Sequence, residues 1–159
     1  MAQAAGPTAA LAGVPTGLQS QGVWVGRRQL FVRFAAEAET ATMYTAQAIA
    51  QELQRAAKRS AFHSISVGGR DPLANVDFLA AAFKAGPLPL PVMLDIDGQL
   101  LRIVEQSHAA SAKTVVVIHP PYNTPIDRDR RWVTLIERSA ALHPDVRLSL
   151  RLPPPTGTR

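Results

Sequence analysis

An α/β fold, a partial (βα) barrel of about five mainly parallel strands with helices on the outer face, is what this sequence predicts. Three observations carry the expectation. Strand-like and helix-like stretches alternate from residue 29 to residue 152. Val115-Val116-Val117-Ile118 is a continuous apolar run, the pattern of a strand buried on both faces. Val146, Leu148, Leu150 and Leu152 alternate with Arg147, Ser149 and Arg151, the pattern of a half-exposed strand at a sheet edge. Right-handed crossovers would join such units into a mainly parallel sheet. A full barrel needs eight of them, so five strands close only part of one.

The elements follow in order. Gln29 to Phe34 is the first strand, with apolar Leu30, Phe31, Val32 and Phe34. A helix over Met43 to Lys58 places Ala46, Ile49, Ala50, Leu53 and Ala57 at helical spacing. Phe62 to Val67 is a second strand, ended by Gly68-Gly69. Asn75 is the candidate N-cap for a helix to Lys84, with Asp77 in its first turn. Gly86-Pro87 stops that helix, and Pro91 to Ile96 is a third strand closed by Asp97-Gly98. Leu100, Leu101, Val104 and His108 make a third helical stripe before the strand at Thr114 to Ile118. A loop over residues 119–130 leads to a helix holding Trp132, Leu135, Ile136 and Ala140.

Composition bounds what the chain can do. Its 159 residues fit one domain, placed at 18–153 between a disordered Ala/Gly/Pro/Thr-rich leader (1–17) and a flexible proline-rich tail (154–159). No apolar run approaches the roughly 20 residues of a membrane span, and the leader lacks a basic n-region, so the chain reads as cytoplasmic. The net charge of +5 comes from 14 Arg against 3 Lys, but the arginines are scattered and no aromatic-rich motif interleaves with them. Nucleic acid is therefore not the expected partner. The absence of cysteine excludes disulfides, zinc–thiolate sites and thiolate-held iron–sulfur clusters together.

Residues 21–35, Gln-Gly-Val-Trp-Val-Gly-Arg-Arg-Gln-Leu-Phe-Val-Arg-Phe-Ala, resemble the opening of the 7-carboxy-7-deazaguanine synthase-like branch of the radical-SAM superfamily. There a strand similar to FVRFAG enters a CxxxCxxCDT-type loop whose thiolates hold a [4Fe–4S] cluster. The corresponding positions here are Glu37, Ala41 and Tyr44. Ser66 to Leu73 resembles the family's GGEPL turn, with Arg70 standing where a second glycine would let the cofactor approach. Leu94-Asp95-Ile96-Asp97-Gly98 resembles its LDTNG strand end, and Gln21 replaces a glutamate of the QGEG motif. Tyr44-Thr45-Ala46 stands for the CDT end, which removes the threonine associated with magnesium.

In active relatives the resemblance implies cleavage of S-adenosylmethionine and ring contraction of a pterin toward a 7-deazapurine, a queuosine-type modified-nucleoside pathway. Here it implies a degenerate relative with no radical chemistry, retained as a binding or regulatory module without cofactors. The substrate-binding candidates are Gln21, Arg27 and Arg33, and the cofactor-end candidates are Gly69, Asp71 and Asp95. The expected ligand is a purine- or pterin-like molecule.

Two rivals stand beside this reading. One is a structural subunit that forms homo-oligomers through the edge strand at 146–152. The other is a cluster-free enzyme using Asp71, Asp95, Asp97 and His119. The plainer readings are turn chemistry for the aspartates and a structural or solvated His119.

Overall fold

The computed structural model describes residues 6–96, 104, 105, 109, 115–119 and 130–149. Its contacts divide the chain into two units, Met1–Leu18 with Arg27–Ile96, and Gln19–Gly26 with Asp97–Arg159.

The first unit is a mixed six-stranded sheet with two helices. Strand β1 spans Thr8–Gly13, β2 Thr16–Leu18, β3 Arg28–Phe34, β4 Thr42–Thr45, β5 Ser64–Gly69 and β6 Val92–Leu94. Their spatial order is β4-β1-β3-β5-β6, with β2 also pairing β3. On one side β3, β5 and β6 run parallel. On the other, β1 and β2 lie antiparallel to β3, and β4 antiparallel to β1.

This overturns the partial barrel of mainly parallel strands. Three of the five pairings in this sheet are antiparallel, and the described strands close no barrel. The difference begins in the segment expected to be a disordered leader. Ala and Gly composition hid an alternation in β1, which buries Ala9 and Leu11 in the core and exposes Thr8, Ala10 and Ala12. A strand needs only one buried face to be worth forming, and two small or medium apolar residues suffice when a neighbouring strand pairs its backbone.

A second departure lies where a helix was expected from Met43. Thr42-Met43-Tyr44-Thr45, β-branched and aromatic, forms β4 against β1. Only then does α1 begin, over Ala46–Arg59, with the Thr45 hydroxyl accepting from Ala48 N–H at 3.1 Å as an N-cap. Asp71, in the left-handed region at φ 39°, opens a 3-10 turn over Pro72–Asn75 and accepts from Ala74 N–H. That turn feeds α2, Val76–Lys84, whose N-cap residue Asn75 makes no side-chain cap bond.

Both helices pack on one face of the sheet and against each other. Leu30, Val32 and Phe34 of β3 meet Ile65 and Val67 of β5, Ile49 and Leu53 of α1, and Phe78, Leu79 and Ala82 of α2. Phe34 and Phe78 meet edge to face, with ring centroids 6.1 Å apart. The opposite face carries Gln29, Phe31 and Arg33 of β3 and Ser64 and Ser66 of β5. Buried Gln29 donates to the Ser64 hydroxyl at 2.6 Å, and His63 Nδ1 lies 3.0 Å from the same oxygen.

The second unit holds a 3-10 turn at Gly22–Trp24, and β7 (Val116–Ile118) parallel to β8 (Val146–Leu148). Helix α3 spans Arg130–Leu142 and packs on β8. Val104 and Glu105 are helical, and Val104 is fully buried. Leu100, Leu101, His108 and residues 150–152 lie outside the described residues, so the expected edge strand is seen only at 146–148. Beside it, a hydrogen bond from Arg147 holds the Asp145 carboxyl below its usual range. Among the described residues no helix is long and apolar enough to cross a membrane.

Candidate functional site

In an open sheet with parallel strands, ligands gather beyond the carboxyl ends of those strands, where loops leave the sheet. In the first unit that rim is made by the ends of β3, β5 and β6. It brings together Arg33, the turn over residues 35–41, Gly68 to Asp71, and Asp95.

Backbone geometry fixes the centre of the rim. Gly69 has φ +95°, and a Cβ built there would press on Phe34 O and stand 2.7 Å from Phe34 N. No L side chain fits at such distances, so glycine is required for β5 to approach β3. Arg70 N–H then donates to Phe34 O at 3.2 Å, carrying the strand contact one residue past the ladder. Beside it, Asp95 N–H donates to Val67 O at 2.8 Å, which seats Asp95 next to Gly68.

Two ion pairs cover this backbone. Arg33 pairs with Glu39, whose second carboxylate oxygen accepts from Ala36 N–H at 3.1 Å. One carboxylate thus closes the turn after β3 and neutralises the arginine at the strand end. Arg70 pairs with Glu37 at 2.7 Å, joining the loop after β5 to the loop after β3. Sequence reasoning singled out both arginines' neighbourhoods but missed both partners. The signal available was the Glu-Ala-Glu at residues 37–39, placed directly after a strand that ends in an arginine.

The expected site residues divide. Arg33, Gly69, Asp71 and Asp95 share the rim. Arg27 does not, because it precedes β3 while Arg33 lies near its far end, about 20 Å away at roughly 3.3 Å per residue. Arg27 and Arg33 therefore cannot grip one small ligand together. Gln21 lies in the second unit, buried, with its N–H donating to Gln19 Oε1 at 3.3 Å. His119 is also in the second unit, and its Nδ1 lies 3.1 Å from Ser149 O, bracing the ends of β7 and β8. Asp97 lies outside the described residues, and Asp71 uses its carboxylate to cap the turn into α2.

The residues at the three expected cluster positions do not fit a [4Fe–4S] group. Glu37 is engaged with Arg70, Ala41 offers an exposed methyl, and Tyr44 is built into β4 with its side chain packed against the core. None supplies a thiolate. Among the described residues no group of three His, Asp or Glu side chains could hold a metal ion.

No family model, no curated protein and no solved structure matches the chain.

Proposed function

We propose that this chain is a non-catalytic binding or regulatory module, a cysteine-free relative of 7-carboxy-7-deazaguanine synthase-type radical-SAM proteins. The observation that supports this most is the Glu37–Arg70 ion pair. Its two members are the residues that replace, in the resemblance, the first cluster cysteine and the second glycine of the cofactor turn. Two departures at distant sequence positions compensate one another in space. The rim holds an exposed salt bridge where the family chemistry would need a metal cluster and an open backbone.

The charge balance of the rim narrows the ligand. Arg33 and Arg70 are both neutralised by glutamates, so a phosphate gains little there. A neutral purine- or pterin-like heterocycle, recognised by the Asp95 carboxylate beside Gly68, suits the rim better. The test combines anaerobic reconstitution with iron and sulfide, and thermal shift with guanine, pterin and S-adenosylmethionine. The expected result is no iron retained, no response to S-adenosylmethionine, and stabilisation by a heterocycle that Asp95→Ala abolishes. Stoichiometric cluster formation would overturn the non-catalytic reading. Indifference to every heterocycle would overturn the ligand.

A further inference from the structure

The two ends of the six-stranded sheet are built differently. At β6 the edge is guarded, because Pro91 directly precedes Val92–Leu94 and Asp95 directly follows it. Proline and charge are the usual devices that keep a free edge from pairing with another chain. At β4 neither device is present. From Thr40 to Gln51 the sequence holds no proline and no charged residue.

The hydrogen-bond parity of β4 shows what its edge offers. Ala46 N–H donates to Pro7 O at 3.1 Å, and the register runs Thr8↔Thr45, Ala9↔Tyr44, Ala10↔Met43. In an antiparallel ladder alternate residues turn their N–H and C=O toward the same neighbour. Tyr44 and Thr42 therefore bond toward β1, and Met43 turns its N–H and C=O outward. Among the described residues nothing pairs with that edge. Met43 is 64 % exposed and lies on the face away from the helices, cross-strand from exposed Ala10.

We infer that β4 is a self-association edge, and that its occupant is β4 of a second copy of this chain, paired antiparallel about a two-fold axis at Met43. The self-complementarity of the segment carries this. In that register Met43 exchanges two backbone hydrogen bonds with its counterpart, and Thr42 stands opposite Tyr44, a β-branched residue against an aromatic one. No like charges meet, since the segment has none. The two exposed methionines cover each other and the neighbouring alanines, and flexible thioethers adapt readily to such a contact. A different partner strand would have to match an edge only a few residues long, whereas the isologous arrangement satisfies the outward N–H and C=O of Met43 in both copies.

The absence of cysteine makes the test direct. In the Met43→Cys chain the only thiols are at the axis, and paired Cα atoms about 5.5 Å apart are within disulfide reach. Oxidation is expected to give a covalent dimer, whereas Val76→Cys, 57 % exposed on α2, gives none. Light scattering on the unmodified chain is expected to show about twice the 17.1 kDa of one chain. Met43→Pro removes an N–H that makes no bond among the described residues, and Met43→Lys adds a charge at the axis. Both are expected to give monomers with unchanged circular dichroism. A monomeric parent chain, a dimer that survives both substitutions, or equal cross-linking at positions 43 and 76 would each overturn the inference.

Discussion

The middle of β3 and β5 and their carboxyl ends belong to the same two strands but are held by different forces. In the middle, Leu30, Val32, Ile65 and Val67 are almost fully buried beneath α1 and α2. At the ends, Arg33 and Arg70 stand half in solvent and are tied to glutamates. Apolar burial stabilises at about 25 cal/mol per Å², whereas an exposed ion pair contributes roughly 0–1 kcal/mol. The fold is therefore decided in the middle, and the ends are open to being rebuilt. A sequence can lose ligand chemistry at its rim without losing its sheet, for that reason.

Four substitutions break or sharpen this contrast, from the largest effect to the smallest. Leu30→Ala, at a site 1 % exposed, is expected to lose about 4 kcal/mol of unfolding free energy in denaturant titration. A loss below about 1 kcal/mol would mean that the sheet's helix-covered face is not the true core.

Gly69→Ala comes next, at about 3 kcal/mol, because the new Cβ must enter a left-handed position and meet the Phe34 backbone. It separates the rim's backbone, which belongs to the fold, from the rim's side chains, which do not. A Gly69→Ala chain as stable as the parent would show that β5 does not approach β3 as described.

Thr45→Ala removes the side-chain cap at the start of α1 and is expected to cost about 1 kcal/mol. The companion Thr45→Asn restores a capping oxygen and should recover most of it. If both variants lose equally, the loss belongs to β4 pairing and not to the cap.

The smallest effect belongs to the Glu37–Arg70 pair. Glu37 is 85 % exposed, so Glu37→Gln is expected to change stability by under about 0.5 kcal/mol. A double-mutant cycle with Arg70→Gln should give a coupling of that size which fades as salt is raised. A large, salt-insensitive coupling would mean the pair is shielded from water, and that the rim is more closed than its exposure indicates.

Much of the first unit was legible because its signals are local. The strand at 29–34, most of the one expected at 62–67 and found at Ser64–Gly69, the helix over 76–84 and the stripe Ile49, Leu53 follow from spacing alone. Strand β1 was not legible, because alanine favours helix and glycine favours neither regular element, so its composition argues against a strand. Its identity as a strand depends on Leu11 facing Phe34 and on Tyr44 facing Ala9, contacts that local sequence does not encode. The helix start was misplaced by three residues for a related reason. Thr-Met-Tyr-Thr can begin a helix or extend a sheet, and the presence of β1 decides in favour of the sheet.

At the candidate site the residue types were readable and their partnerships were not. Composition alone settled that no thiolate is available, since a missing residue type cannot be restored by folding. Arg33 was visible as a charge within an apolar strand, and Gly69 as a glycine at a strand end. That Glu39 reaches back to Arg33 depends on the turn after β3, and that Glu37 reaches across to Arg70 depends on the parallel pairing of β3 with β5. The separation of Arg27 from Arg33 follows from one strand's length, and was open to calculation from the sequence. Period, capping and composition act over a few residues, so the sequence by itself determined which segments are apolar, where α2 runs, the buried stripe of α1, and which chemistry is excluded. Strand direction, the neighbours of β1 and the Glu37–Arg70 pair of the rim join residues far apart along the chain. Only tertiary structure decided those, because their energies exist only once the strands are side by side.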